Sequence, residues 1–477
     1  MANRWTTMQT SEGDPMEVRR RSIWGLSGTG QDGQTEQRRA RARVLRSGIL
    51  TSLISRSVAA LAPVALVPIT LGYLGKEVYG LWMAIASLTS MVLWADFGLG
   101  NGLMTGLARS RAQRDAEDAR RQISTTYAIL GVGSLMLIAL LWCVAGVIPW
   151  HTLLSITDPQ LETTARRTAL ICISAFAITI PLSIIVRVQY AFQQVSASNL
   201  WQAAGSMASV ALAWICIRLG LDTTLVVAAA VSGPPIVNIL NSVWVYLGPL
   251  AEIAPKVRSV NRATAKGLSR LGGQFFVISI LSSVAMNADN FVIAKTLGLS
   301  AVTDLAVPAK LFTALGLVVT LINLPLWAAI GDALARSDHE WVRSATRRMT
   351  LLSGGAVVLL SAILLAFGRS IFSVWVGDNV RTQPSLLIFL AVWWLLIATA
   401  SPRFMVQNAS GEVRIQIVGW IAFFLLVLPL KWFAAQTLGI PAVAAAGALC
   451  YAAILWPTAA VGYNRVMRAR EVGCERP

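Results

Sequence analysis

Twelve apolar runs, each close to the length that crosses a lipid bilayer, constrain this chain more than any other feature of its sequence. A membrane-spanning helix needs about 20 predominantly apolar residues. The composition agrees, with 55% hydrophobic and only 13% charged residues. We therefore predict an all-α polytopic membrane protein. The predicted spans are residues 48–71, 79–103, 123–147, 168–186, 200–217, 223–247, 271–294, 305–329, 350–367, 384–402, 415–430 and 440–462.

The distribution of Lys and Arg predicts how these spans are oriented. Positively charged loops stay in the cytoplasm. Of the 40 Lys and Arg residues, 30 fall in the two termini and alternate loops, against 8 in the remaining loops. We therefore expect both termini to be cytoplasmic, with residues 1–47 as a disordered basic tail and residues 465–477 as a second tail. We attribute the net charge of +17 to topology and contact with anionic membrane lipid, not to nucleic-acid binding.

Several function classes lack the residues that they need. No Walker A pattern is present to predict an ATP site, and Asp96-Phe97-Gly98 has none of the accompanying kinase motifs. Five scattered cysteines and two histidines predict no metal site, and we expect no cofactor. The loops predicted to face outward are short, which disfavours a membrane polymerase or glycosyltransferase.

The two halves of the chain carry similar segments, which indicates an internal repeat. YAFQQVSASNLWQ, after the fourth span, matches RFMVQNASGEVRIQ, after the tenth, and TLGYLGKEVYG from Thr70 more loosely resembles TLGLSAVTDLA from Thr296. We predict two six-helix lobes related by a pseudo-twofold axis along the membrane normal. The predicted boundaries are residues 48–250 for the first lobe, 251–270 for a cytoplasmic linker and 271–464 for the second lobe.

The motifs also carry a resemblance to a known family. LGYLGKEVYGLWMAIASLTSMVLWADFGLGNGL resembles the first helical hairpin of the polysaccharide transporter family, within the multidrug/oligosaccharidyl-lipid/polysaccharide exporter superfamily. The family includes flippases for O-antigen and exopolysaccharide repeat units. The resemblance runs from about residue 48 to 465, and its other motifs are ADNFVIAKTLG at 288–298, LPLWAAIGDALAR at 324–336, FSVWVG at 372–377 and VQNASGEVR at 406–414.

This resemblance implies a V-shaped fold and a transporter rather than an enzyme. It implies a flippase that moves undecaprenyl-pyrophosphate-linked oligosaccharide repeat units across a bacterial inner membrane by alternating access, for surface polysaccharide biosynthesis. A polysaccharide polymerase and chain-length proteins are the protein partners that such a flippase is expected to have.

Two cations inside the predicted spans are the first candidate site residues. Arg56 and Lys310, one in each predicted lobe, would suit a pyrophosphate or an acidic sugar, because Arg binds phosphate as a fork and Lys as a point charge. We expect both to face one shared cavity and to bind substrate. Snorkelling to the nearer interface, or pairing with a carboxylate, is the alternative. Gln193 and Gln407 would line the cytoplasmic mouth of the cavity, or equally tie a tight loop by hydrogen bonds.

Two acids inside the predicted spans, Asp96 and Asp289, are candidates for binding a coupling Na⁺ or H⁺, or for closing a gate. Asn287 and Asn290 flank Asp289 and add oxygen atoms that suit sodium. An Asp at the end of a span is also an ordinary interfacial residue. The rival function is a cation-coupled multidrug exporter of the same fold, which would need acids more than bases in its cavity.

Overall fold

The structure is a computed structural model, and the residues described are 34–93, 99–156, 158–377 and 380–474. Every long regular element in these ranges is a helix. The helices are α1 Gln34–Leu93, α2 Leu99–Gln113, α3 Ala116–Val144, α4 Trp150–Leu154, α5 Pro159–Leu182, α6 Ile184–Ala191, α7 Val195–Arg218, α8 Thr223–Leu247, α9 Arg262–Asn287, α10 Asp289–Leu297, α11 Leu299–Ala335, α12 His339–Val376, α13 Pro384–Ser410, α14 Arg414–Leu438, α15 Ile440–Cys450 and α16 Trp456–Cys474.

Ten helices of the described residues are long and apolar enough to cross a membrane. The first of them, Ile54–Met91, covers residues 54–71 of the first predicted span and residues 79–91 of the second. The predicted span 271–294 falls on α9 and α10, where the side chains of 269–279 lie outside the described set. A multi-pass, all-helical membrane protein is therefore confirmed, and the count of twelve spans stays a prediction.

Gly75 divides α1 into two segments. Its backbone dihedral angles, φ 73° and ψ 170°, are ones that glycine adopts without steric cost. Gly298, between α10 and α11, has nearly the same angles, φ 89° and ψ 171°. The two glycines hold equivalent places in the two halves of the chain, which favours the predicted repeat. The alignment of the segments that begin at Thr70 and Thr296 pairs Gly72 with Gly298. The shared backbone conformation shows that Gly75 is the residue that corresponds to Gly298.

The basic N-terminal tail is shorter than we expected. Residues 34–47, predicted to be disordered, form the first turns of α1, whose helix begins at Gln34. The segment QTEQRRARARVLR is rich in Ala, Arg, Gln and Glu, which have favourable helix propensities. Residues 1–33 lie outside the described part of the chain. The predicted linker, residues 251–270, contacts α3, where the backbone amides of Lys256 and Asn261 donate to side-chain hydroxyls at 2.9 and 3.1 Å.

The turns alternate between two ends of the helices. We call one the arginine-poor end; its turns include Gly75, Gly220, Gly298, Gly377 and Gly439. We call the other the arginine-rich end; its turns include Arg114, Gln193, Ser337 and Gly411.

Among the described residues, one cluster at the arginine-poor end combines buried side chains of both halves. This apolar cluster combines residues such as Leu71 and Ile85 of the first half with Val302 and Phe372 of the second. At the arginine-rich end the halves have separate clusters. One is built on α2, α3 and α6 with Leu268 from the start of α9, and the other on α11, α13 and α16. The described residues of the two halves therefore share an apolar core at the arginine-poor end.

Candidate functional site

A cavity of about 420 Å³, with both apolar and polar side chains in its wall, lies within the first half of the chain. Four segments form its wall: α1 near Ala59, the α5–α6 junction, the first turns of α7 and the middle of α8. The side chains that give it polarity are Ser183, Arg187, Tyr190, Gln202, Ser206 and Asn238, with the Trp201 ring beside them. Cavities of this size hold small ligands or parts of larger ones.

Small residues set the spacing of the two helices behind this cavity. A methyl group added at Gly233 of α8 would collide with the backbone oxygen of Gly205 on α7. Helices in a membrane approach this closely only where side chains are absent. Pro234 follows directly and lines the cavity. The segment SGPP thus combines close helix contact with proline, and it places Asn238 one turn further along α8.

Hydrogen bonds fix the polar wall. The Tyr190 hydroxyl donates to Asn199 Oδ1 at 3.0 Å, and Gln202 Nε2 lies 3.4 Å from the same hydroxyl. Behind the wall, Gln189 and Asn241 are buried and exchange two hydrogen bonds of 3.0 Å. Tyr190 is therefore held at the cavity surface by its neighbours, while Gln189 joins α6 to α8.

One arginine lines this cavity, and a second lies one helical turn from a lining residue. Arg187 lines it from α6, although the sequence analysis had placed this residue in a loop because the fourth span was ended at residue 186. Arg56 is half-buried on α1, one helical turn before Ala59, which lines the cavity. Residues three apart on a helix are neighbours on its surface. The prediction that Arg56 serves a cavity is therefore compatible with the structure, and Arg187 is a cavity cation that we missed.

Lys310 faces the first half of the protein. Its Nζ lies 5.5 Å from the ring centre of Tyr79 and 5.8 Å from that of Trp82, and both rings are buried. Aromatic faces attract a cation at this distance. Lys310 is thus half-buried at a contact between α11 and α1. The cavity wall contains Arg187 rather than Lys310, so a cavity shared by Arg56 and Lys310 stays a prediction.

Asp289 forms an ion pair that the sequence analysis did not foresee. Its Oδ1 lies 2.5 Å from Nζ of Lys431, whose side chain is only 1% exposed. We had assigned Lys431 to a loop at the arginine-poor end, which is wrong because α14 continues to Leu438. The same Nζ donates to the backbone oxygen of Ala285 at 3.1 Å.

The remaining predicted site residues have individual surroundings. Asn287 donates to Ser283 O at 2.8 Å, and its own backbone oxygen accepts from the Ser87 hydroxyl of the first half. Asn290 is half-buried in the first turn of α10. Asp96 lies outside the described residues. A coupling site at these residues stays a prediction, and no group of three or more His, Cys, Asp or Glu in the described chain could hold a metal ion.

The two predicted glutamines of the cytoplasmic mouth contact other helices. Gln193, exposed in a turn with φ 61°, accepts from Arg111 at 3.2 Å. Gln407 is fully buried, and its Nε2 donates to Ala459 O on α16 at 3.1 Å. Gln407 lies against Gly462 and is shielded from substrate in this conformation. Both contacts match the alternative reading, in which these side chains tie loops and helices.

Another ion pair, unlike that of Asp289 and Lys431, connects the two halves of the chain, and it lies at the arginine-poor end. Lys76 Nζ lies 2.8 and 2.9 Å from the two carboxylate oxygens of Asp304, which is only 8% exposed. The Arg381 backbone amide donates to the same carboxylate at 2.9 Å, and the Thr303 hydroxyl donates to Lys76 O at 2.7 Å. We call these four residues the end lock. A gate at Asp96 was predicted from the sequence; the end lock lies at the opposite end and was missed.

Comparison with known proteins connects this geometry to a family. The pattern of the family described as a polysaccharide biosynthesis protein matches residues 45–330, more than half of the chain. A putative O-antigen transporter of Salmonella typhimurium is 22% identical over 391 residues, covering 78% of this chain and 85% of that protein. A putative O-antigen export protein of Yersinia pseudotuberculosis is 22% identical over 352 residues, covering 72% of this chain and 78% of that protein.

The fold is also found among solved structures. An inward-facing conformation of a multidrug resistance MATE family transporter of the MOP superfamily superposes with a TM-score of 0.67. The two sequences are 16% identical, and the match covers 95% of this chain and 98% of that one. At this identity the likeness establishes the fold alone. The matched family pattern and the helical fold together show that this chain belongs to the polysaccharide biosynthesis protein family, a family of multi-pass membrane transporters.

Proposed function

We propose that this protein is a flippase that moves an undecaprenyl-pyrophosphate-linked oligosaccharide repeat unit across a bacterial inner membrane by alternating access. The single observation that carries this proposal is a cavity with Arg187 and several uncharged polar side chains in its wall, in a structure whose two halves are joined at the arginine-poor end. Under the positive-inside rule the arginine-rich end faces the cytoplasm. Substrate assembled on the cytoplasmic side would then enter this cavity while the far side is closed by the end lock.

The residues of the cavity suit a phosphorylated glycan. Arg187 offers a planar, permanently charged fork for a phosphate or an acidic sugar. Gln202 and Asn238 offer amide donors and acceptors for sugar hydroxyls, and the Trp201 ring offers an apolar face. Arg56 adds a second cation one turn away. The prenyl tail would remain in lipid, and rocking of the two halves would release the sugar on the other side for a polymerase and chain-length proteins.

The names of the two curated relatives support the same substrate class, since both are described in terms of O-antigen transport or export. The rival proposal is a multidrug exporter of the same fold. A cavity with Arg187 in its wall would repel the cationic compounds that such exporters commonly carry. A deletion strain that gains drug sensitivity and keeps its surface polysaccharide would favour the exporter and reject the flippase.

Arg187 and the neighbouring Arg56 supply the test. Arg187→Ala and Arg56→Ala each remove a charge-assisted hydrogen bond to the anionic group, worth roughly 1.5–3 kcal/mol, and should reduce polysaccharide export about 10- to 100-fold. Arg218→Ala is the matched control, because Arg218 is exposed at the arginine-poor end of α7 and stacks on Trp214. Surface polysaccharide and membrane abundance are measured together. Export at the normal rate from Arg187→Ala and Arg56→Ala, at normal abundance, would reject this cavity as the substrate site.

A further inference from the structure

The ammonium group of Lys431 is enclosed on three sides within the second half. Asp289 Oδ1 lies 2.5 Å from Nζ, Ala285 O accepts from it at 3.1 Å, and the ring centre of Trp393 lies 5.7 Å away. Ala285 O therefore accepts one of the three N–H donors of the ammonium, Asp289 supplies an opposite charge, and Trp393 supplies a cation–π contact. Gly447 of α15 makes room for the lysine stem, because a methyl group there would lie 3.3 Å from Lys431 Cε.

The Asp289 side chain is partly exposed on its other side. Its side chain is 32% exposed, whereas that of Lys431 is 1% exposed. Asp289 is the first residue of α10, after a break at Ala288 that separates α10 from α9. A carboxylate at a helix N-terminus is favoured by the helix dipole. A diffusing cation could therefore reach this acid, while a bulky anion such as a pyrophosphate could not reach the enclosed lysine.

We propose that the Lys431 ammonium occupies the position at Asp289 that a coupling alkali cation would otherwise take, so that the protein carries a tethered cation there and binds no sodium. The sequence left Na⁺ and H⁺ open at this acid. A sodium ion added beside the pair would lie about 4 Å from the ammonium. At an effective dielectric constant near 20, the repulsion lowers sodium affinity about a thousandfold. The description of Asp289 as a coupling position rests on the proposed flippase function. The claim that no sodium binds there is independent of that function.

The experiment measures thermal unfolding of the purified full-length protein in sodium chloride and in choline chloride at the same ionic strength. The wild-type protein should have the same midpoint in both salts. Lys431→Ala removes the ammonium and opens space beside the acid, and its midpoint should rise by about 2–4 °C in sodium, because a ligand that binds only the folded state stabilises it. Lys431→Ala with Asp289→Asn is the matched control and should lose the sodium effect.

Two results would overturn the inference. The first is a sodium-specific stabilisation of the wild-type protein that Asp289→Asn abolishes. The second is a folded Lys431→Ala protein with no sodium response. If Lys431→Ala does not fold in choline, Lys431→Gln replaces it, because its amide keeps a hydrogen-bond donor; the same sodium response is expected, and its absence also counts against the inference. The wild-type comparison with Asp289→Asn needs no altered lysine and decides independently.

The readout separates this inference from the proposed function. Unfolding requires neither substrate nor transport, so a failed flipping assay leaves the sodium result intact. Conversely, glycan flipping by reconstituted wild-type protein should proceed at the same rate with sodium replaced by choline. A flippase that stops in choline would keep the proposed function and overturn the tethered cation.

Discussion

Replacing Lys76 with alanine removes the cation of the end lock and should shift the protein towards an open arginine-poor end. In the closed structure Asp304 is held by Lys76 and by the backbone amide of Arg381. Without Lys76 the buried carboxylate keeps only the amide. When the end opens, water can solvate Asp304, so the substitution destabilises the closed state selectively.

The contact distances and exposure set the size of this effect. Lys76 and Asp304 side chains are 28% and 12% exposed, so solvent screens their interaction only partly. A hydrogen bond to a charged group contributes roughly 1.5–3 kcal/mol. Taking about 2 kcal/mol, the ratio of open to closed molecules should rise about 30-fold, since each 1.36 kcal/mol is a factor of ten.

Distances between spin labels at Leu219 and Leu438 measure the opening, because both residues are exposed at the arginine-poor end, one in each half. Lys76→Ala should add a population with a longer distance. Arg381→Ala is the control: Arg381 bonds Asp304 through its backbone, so this variant loses a nearby cation and keeps the amide. An unchanged distance distribution in Lys76→Ala, or an equal shift in Arg381→Ala, would refute the assignment of the ion pair as a lock.

Three further predictions concern single contacts. Gly80→Ala should also open the arginine-poor end, because the added methyl group would collide with the backbone oxygen of the first residue of α11. Gly72→Ala is the control: its methyl group would meet no other atom among the described residues, so the distances between the spin labels should not change. Gln189→Leu should lower stability by about 1–3 kcal/mol by leaving Asn241 unpaired, and leucine at both positions should recover part of that loss in thermal unfolding. Asp222 caps α8, and its hydrogen bond from Thr224 lowers the pKa of its carboxyl group. The carboxylate should therefore stabilise the folded protein at neutral pH, and this stabilisation should be lost as the pH falls and Asp222 is protonated. An Asp222→Asn protein whose stability depends on pH below about pH 4 as strongly as that of the wild type would contradict this.

The spans and the family were predictable because they depend on long-range averages along the chain. Apolar runs of bilayer length form helices in the structure, among them α3, α5, α7, α8, α12, α13 and α14. The resemblance to the polysaccharide transporter family is supported by the family pattern that matches residues 45–330. Boundaries were less predictable. The predicted span 79–103 includes residues 94–98, which lie outside the described part of the chain, so its continuity stays a prediction.

The cavity and ion pairs could not be predicted from local sequence. Lys431 and Arg187 were assigned to loops because each span was ended at the first charge after an apolar run. The segment WFAAQTL, which follows Lys431, is mostly apolar and could have been included in the predicted span. In the structure it is helical. Its partner Asp289 is distant along the chain, and burial of a charge depends on such a partner. Pairing between distant helices has no signature in hydropathy or spacing.

The most direct test of the central claim is glycan flipping in proteoliposomes. The lipid-linked oligosaccharide is reconstituted with the protein, and a membrane-impermeant reagent is added outside to modify the exposed glycans. Wild-type protein should let the reagent reach glycans that began on the inner leaflet, and Arg187→Ala should slow this about 10- to 100-fold. A reacted fraction equal to that of protein-free vesicles, from wild-type protein that is folded and correctly inserted, would contradict the account.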